Sequence, residues 1–180
     1  MDRIQILLNT LSSSFLVAAS LVALYNFYKK NSFRWLFTGI VFLLASVNKI
    51  FDLDNRIVGK WLLSSGIGFI NYINKVLPWL KLYKQPGFVV DFVFLILGAV
   101  IILLLWNILK DKPLSLLFFL IGITSFLIVV ILGFNLAVLK YDSLHIVIYQ
   151  LSKDSFEVIG SSSLFISFLT CLRSSNRRRN

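Results

Sequence analysis

The sequence predicts an all-α integral membrane protein of about five transmembrane helices plus one interfacial or re-entrant helix. Three observations carry that expectation. Two apolar runs, residues 88–109 (FVVDFVFLILGAVIILLLWNIL) and 114–139 (LSLLFFLIGITSFLIVVILGFNLAVL), are parted only by Lys110-Asp111-Lys112-Pro113. Each is longer than the ~20 apolar residues that cross a hydrocarbon core of ~30 Å at ~1.5 Å rise per residue. In lipid only a helix or a closed barrel satisfies its own backbone, so the pair is a helical hairpin. Second, 58% of the 180 residues are hydrophobic and the mean hydropathy is +0.85, against ~45–50% apolar residues in an average soluble domain. Third, basic residues crowd into the short segments between runs, as they do where charge sets membrane orientation.

The elements follow in order. Residues 11–28 form the first span: the charged start and the small residues Val17-Ala18-Ala19-Ser20 are signal-peptide-like, but the apolar run continues past them to Tyr28, so the span is expected to be retained. Lys29-Lys30-Asn31-Ser32-Phe33-Arg34 is a basic turn. The second span, 35–51, carries Asn48 and Lys49 in its last turn. Residues 61–80 have a span's length but a polar stripe at Ser64, Gly68, Asn71 and Lys75, the spacing of an interfacial or re-entrant helix. Pro78 and Gln85-Pro86-Gly87 end it. The central hairpin follows, with Gly98, Gly122 and Gly133 as points of close helix approach. A short amphipathic stretch, 144–149, precedes a fifth span at 156–172. Residues 1–172 are thus one polytopic domain with no room for a separate soluble one, and 173–180 form a basic cytoplasmic tail.

Orientation rests on the basic residues. With five spans, one face gathers Lys29, Lys30, Arg34, Lys110, Lys112, Arg173, Arg177, Arg178 and Arg179 against one acid, Asp111. The other face has as many basic residues, but over longer segments and mixed with acids. Basic residues in short loops mark the cytoplasmic side, so the N-terminus is expected outside and the C-terminus inside a bacterial-type inner membrane. Trp35 and Trp106 then fall at the inner interface, and Trp61 and Trp79 at the outer one. The net charge of +10 reflects this topology and contact with anionic lipid headgroups, and nucleic acid is not the expected partner. Arg173, Arg177, Arg178 and Arg179 are the candidate headgroup or partner contacts.

Polar chemistry has few places to sit. Asn48, Asp52 and Arg56 are four apart, Lys49 and Asp52 three apart, and Asp154, Glu157 and Ser161 three and four apart, so each set shares a helical face. Charge within a span is expensive and faces a partner or a cavity. Lys49 and Arg56 opposite Asp91, Asp154 and Glu157 therefore make a candidate polar pocket at the outer face; the plainer alternative is headgroup-level ion pairs. One Cys and one His leave no zinc ligand set. A cation held by Asp91, Asp154 and Glu157 is chemically possible but no ligand spacing requires it. Gly160-Ser161-Ser162-Ser163 is read as small-residue packing, and no nucleophile pair or nucleotide loop occurs. No metal or cofactor is expected.

Two stretches resemble an uncharacterised family of small bacterial multi-span membrane proteins. That family carries Asp-Glu and His-Glu pairs after its second span and a Glu-Glu-x-x-Glu-x-x-Gly motif opening its last. The first pairs fall on Asn48-Lys49 and Asp54-Asn55; the second motif falls on Lys153-Asp154, Glu157 and Gly160. Trp79, Pro86 and the order of spans extend the resemblance over residues 35–172. It implies the helical layout, and the replaced His and paired acids imply no retained catalytic or metal function. The expected role is a non-catalytic accessory or scaffolding subunit packed against other membrane subunits, its own copies or lipid. The alternative is a membrane enzyme or transporter working through the acidic pocket.

Overall fold

The computed structural model describes residues 2–51, Lys75, 87–138 and 143–177. Five helices account for nearly all of them: α1 (Asp2–Lys30), α2 (Phe33–Phe51), α3 (Gly87–Leu109), α4 (Pro113–Val138) and α5 (Ser143–Arg177). No strand occurs among the described residues. Four helical segments are long and apolar enough to cross a membrane: Arg3–Lys30, Phe33–Phe51, Pro113–Leu132 and Val147–Arg173; α3 adds the shorter apolar stretch Val93–Leu109. The chain is an all-α, polytopic membrane protein. Lys75 apart, the expected helix at 61–80 lies outside the described residues, as do Trp61, Trp79, Arg56, Arg178 and Arg179.

The α1–α2 turn needs only Asn31 and Ser32. Asn31 takes the left-handed conformation at φ 46°, which Asn tolerates better than most side chains. Its N–H closes back on the Phe27 carbonyl at 2.7 Å, and the Ser32 carbonyl accepts from Trp35 N–H at 3.0 Å to begin α2. The two helices run back antiparallel, joined midway by the buried Ser20 hydroxyl, which donates to the Gly39 carbonyl at 2.8 Å. Gly39 is required there: a Cβ would press on Leu24, backbone included.

The most extensive interface joins α4 to α5, which run antiparallel. A side chain on Gly122 would meet the Gly160 carbonyl, and one on Gly160 the Gly122 carbonyl, at 3.1 and 3.3 Å. Small residues let membrane helices approach this closely where no hydrophobic force drives them together. Two turns away, Ser115 and Ser167 donate reciprocally to each other's backbone carbonyls, Ser167 at 2.7 Å. Helix α5 also packs along α1, in parallel, with Phe15 against Phe165. Its Phe168 is the aromatic centre: Trp35 meets it edge-on at 5.4 Å, with Phe42 at 5.6 Å and Phe119 at 6.4 Å. The separate sequence features at 144–149 and 156–172 belong to one continuous helix of 35 residues, and of the polar residues between them Asp154 is buried.

Helix α3 is held differently. Ile101, Leu105 and Leu109, four apart, are fully buried, whereas Val93, Ile96 and Val100 are exposed. Its contacts with α2 and α4 are sparse. It is anchored most firmly at its C-terminal half; in the other half Phe94 and Leu97 rest partly buried against the core while the opposite face is exposed.

One end of the bundle is basic. Trp35 against Phe168 and the Lys112 ammonium on the Cys171 carbonyl at 2.8 Å bring the 29–34 turn, the 110–112 turn and the C-terminal part of α5 together. Trp35 is at that end but is wholly buried, so it packs inward where a lipid-facing belt residue was expected; Trp106 is half-exposed.

Candidate functional site

The other end of the bundle opens into a cleft of about 580 Å³ walled by all five helices. On its α3 side it is lined by Phe94, Gly98 and Ile102. Its deeper walls are apolar, with Leu16 of α1, Phe42 of α2 and Ile123 and Phe126 of α4. Its mouth is polar. Gln5, Asn9 and Ser12 present one face of α1 at offsets of four and three, Asn48 and Lys49 end α2, and Gln150, Lys153, Asp154 and Glu157 line α5.

The Lys49 ammonium pairs with a Glu157 carboxylate oxygen, both side chains mostly withdrawn from solvent, 17% and 15% exposed. At this depth the pair is screened less than a surface pair. Asp154 is one turn before Glu157 and only 6% exposed. Its Oδ2 has no hydrogen-bond partner among the described residues, and a buried polar atom in that condition is rare. Ser12, fully buried, is in the same condition. Its neighbours on α1 are not: Thr10, Ser13 and Ser14 all donate to carbonyls three or four residues back. A second, water-sized void of about 10 Å³ lies between α1 and α5, bordered by Gln5, Gln150 and Asp154.

Comparison with family models, with curated proteins and with solved structures finds no match to this chain. The site therefore has to be understood from its own residues.

Of the candidate pocket, the structure brings Lys49, Asp154 and Glu157 to one cleft. Asp91 lies in the first turns of α3, the helix that forms the opposite wall. Arg56 lies outside the described residues. Arg173 is exposed near the C-terminal end of α5 and Arg177 is its last residue, at the basic end and remote from the cleft. Among the described residues no three His, Cys, Asp or Glu side chains gather as metal ligands do. Gln5, Asn9 and Ser12 do not stand out in the sequence because they precede and overlap the first span's apolar run. Their helical spacing was the available signal.

Chemically, the cleft joins an apolar chamber to a mouth where the described residues supply two cations and two anions. One cation and one anion neutralise each other. The buried Asp154 oxygen is left to accept a hydrogen bond.

Proposed function

We propose that this polytopic membrane protein binds an amphiphile from the bilayer, its hydrocarbon within the cleft and its polar group at the Lys49–Glu157 mouth. The carrying observation is the polarity gradient of the cleft: apolar walls from every described helix, ionisable groups at one end only. Ligand sites are typically clefts of ~300–1,000 Å³, mainly apolar with a few placed polar groups. An ionisable residue inside a membrane span is a functional-site candidate in its own right, and Asp154 and Glu157 both lie within the Val147–Arg173 segment. In this reading the polar pocket has a binding role.

The basic end is proposed to face the cytoplasm, which puts the N-terminus and the cleft mouth at the outer face of a bacterial-type inner membrane. What supports this is the gathering of Lys29, Lys30, Arg34, Lys110, Lys112 and Arg173 at one end of the bundle, in short turns and beside helix ends. Anionic headgroups are the proposed neighbours of that end.

A second reading, a non-catalytic accessory subunit, is favoured by α3. Its exposed Val93, Ile96, Val100 and Leu103 form a face to which another subunit's helix could pack. Native mass spectrometry of the protein released from its own membrane in mild detergent separates the two. The amphiphile reading expects a lipid-sized adduct that survives detergent exchange. A bare chain would sink it, and release with a second protein at fixed stoichiometry would establish the subunit.

A further inference from the structure

We infer that the cleft selects a zwitterionic phospholipid whose headgroup ends in a primary ammonium, with Asp154 as the residue that reads the ammonium. The inference rests on the amphiphile reading above and names the ligand class.

Charge balance comes first. Among the described residues Lys49 and Lys153 face Asp154 and Glu157 at the mouth, and these four groups sum to zero. An anionic headgroup would leave a net negative charge there and a simple cation a net positive one, each costly away from water. A zwitterion preserves the balance. Lys49 and Glu157 answer each other; Lys153 and Asp154, adjacent in sequence and both lining the cleft, are the groups inferred to meet a phosphate and an ammonium respectively. An ammonium carries several donors, so Lys153 serves a phosphate alongside its other contacts.

Hydrogen-bonding capacity then separates the zwitterions. Asp154 Oδ2 is buried and accepts nothing among the described residues. A carboxylate oxygen in that state needs a donor, and charge-assisted donors are the strongest. A primary ammonium brings three N–H groups, whereas a trimethylammonium brings none. An ethanolamine-type headgroup is therefore preferred over a choline-type one of equal charge. The void beside Asp154, about 10 Å³, holds a single water at most, so a headgroup reaches the carboxylate from the main cleft. Further in, the unpartnered Ser12 hydroxyl lies seven residues along α1 from Gln5, roughly 10 Å at ~1.5 Å per residue. There it can donate to an ester carbonyl, the next polar group of the same lipid.

The test uses the full-length chain, delipidated in detergent and offered phosphatidylethanolamine, its N-monomethyl and N-dimethyl forms, phosphatidylcholine and phosphatidylglycerol, all with the same acyl chains. Bound lipid is read by native mass spectrometry. Retention should fall stepwise as N–H groups are replaced, by about tenfold across the series, the scale of one charge-assisted hydrogen bond. Phosphatidylglycerol should bind no better than phosphatidylcholine. Asp154→Asn should bring the ethanolamine and choline lipids within about twofold of each other; Asp154→Glu should keep the order. The methylation series needs no variant, so it decides even if Asp154→Asn does not fold. Equal retention along the series, or a preference that survives Asp154→Asn, overturns the inference and leaves the carboxylate to a water. Free phosphoethanolamine displacing the lipid at equal concentration would assign the site to a soluble amine. Failure of every lipid to bind would overturn the amphiphile reading itself.

Discussion

Lys49 and Glu157 sit where water screens them poorly, so each depends on the other. Removing one partner strands the other's charge, and the full penalty for a buried pair is several kcal/mol. For this partly accessible pair, Lys49→Met or Glu157→Gln should each lower stability by about 2 kcal/mol, with Lys49→Met/Glu157→Gln together costing clearly less than their sum. Thermal unfolding in detergent, run as a double-mutant cycle, measures this; additive losses would show that the two side chains are not coupled. Ser20 and Ser12 make a second contrast. Ser20→Ala deletes the bond to the Gly39 carbonyl and should cost about 1 kcal/mol. Ser12→Ala deletes a hydroxyl with no partner and should leave the lipid-free protein's unfolding temperature unchanged. At this scale the sequence was informative wherever charge interrupted an apolar run, as at Lys49, Asp154 and Glu157, because few other positions in a span bear charge. It was uninformative at Trp35, since the same indole suits a lipid interface or an edge-on contact with Phe168, and only the fold chooses between them.

Among the elements, α4 and α5 owe their separation to Gly122 and Gly160. Gly122→Ala forces the added methyl against Leu164 and the Gly160 carbonyl, and overpacking of this kind costs about 1–3 kcal/mol. Gly98→Ala is the control. A Cβ there meets nothing within 4 Å, so the unfolding temperature should not fall; a loss equal to that of Gly122→Ala would mean that α3 packs more closely than described. The sequence marked Gly98 and Gly122 alike as points of close approach, and the structure makes only the second one so. Composition cannot separate them, because α3 is apolar on every side from Val93 to Trp106 and its one-sided anchoring at Ile101, Leu105 and Leu109 leaves no periodic trace. The Ser115–Ser167 clasp was equally hidden, since isolated serines in apolar runs look like small-residue packing until their partners are known. By contrast, the α3–α4 hairpin and the Lys29–Arg34 turn were plain from length and charge alone.

For the whole molecule, the proposed orientation can be checked from outside the cell. In a Cys171→Ser background, Lys110→Cys at the basic end should resist a membrane-impermeant thiol reagent in intact cells. Phe51→Cys, exposed at the end of α2 nearest the cleft mouth, should react; the reverse pattern would invert the topology. The arrangement of α3 adds a mechanical consequence. From its anchored end at Leu109 to Phe94 at the cleft is roughly 22 Å of helix, at ~1.5 Å per residue. Membrane helices tilt over a range of ~0–40°, and a swing of only ~10° about that anchor carries Phe94 sideways by ~4 Å. That is about the contact distance of one hydrocarbon chain with its neighbour. A swing of that size would widen the cleft toward the bilayer without disturbing the serine clasp or the glycine crossing behind it.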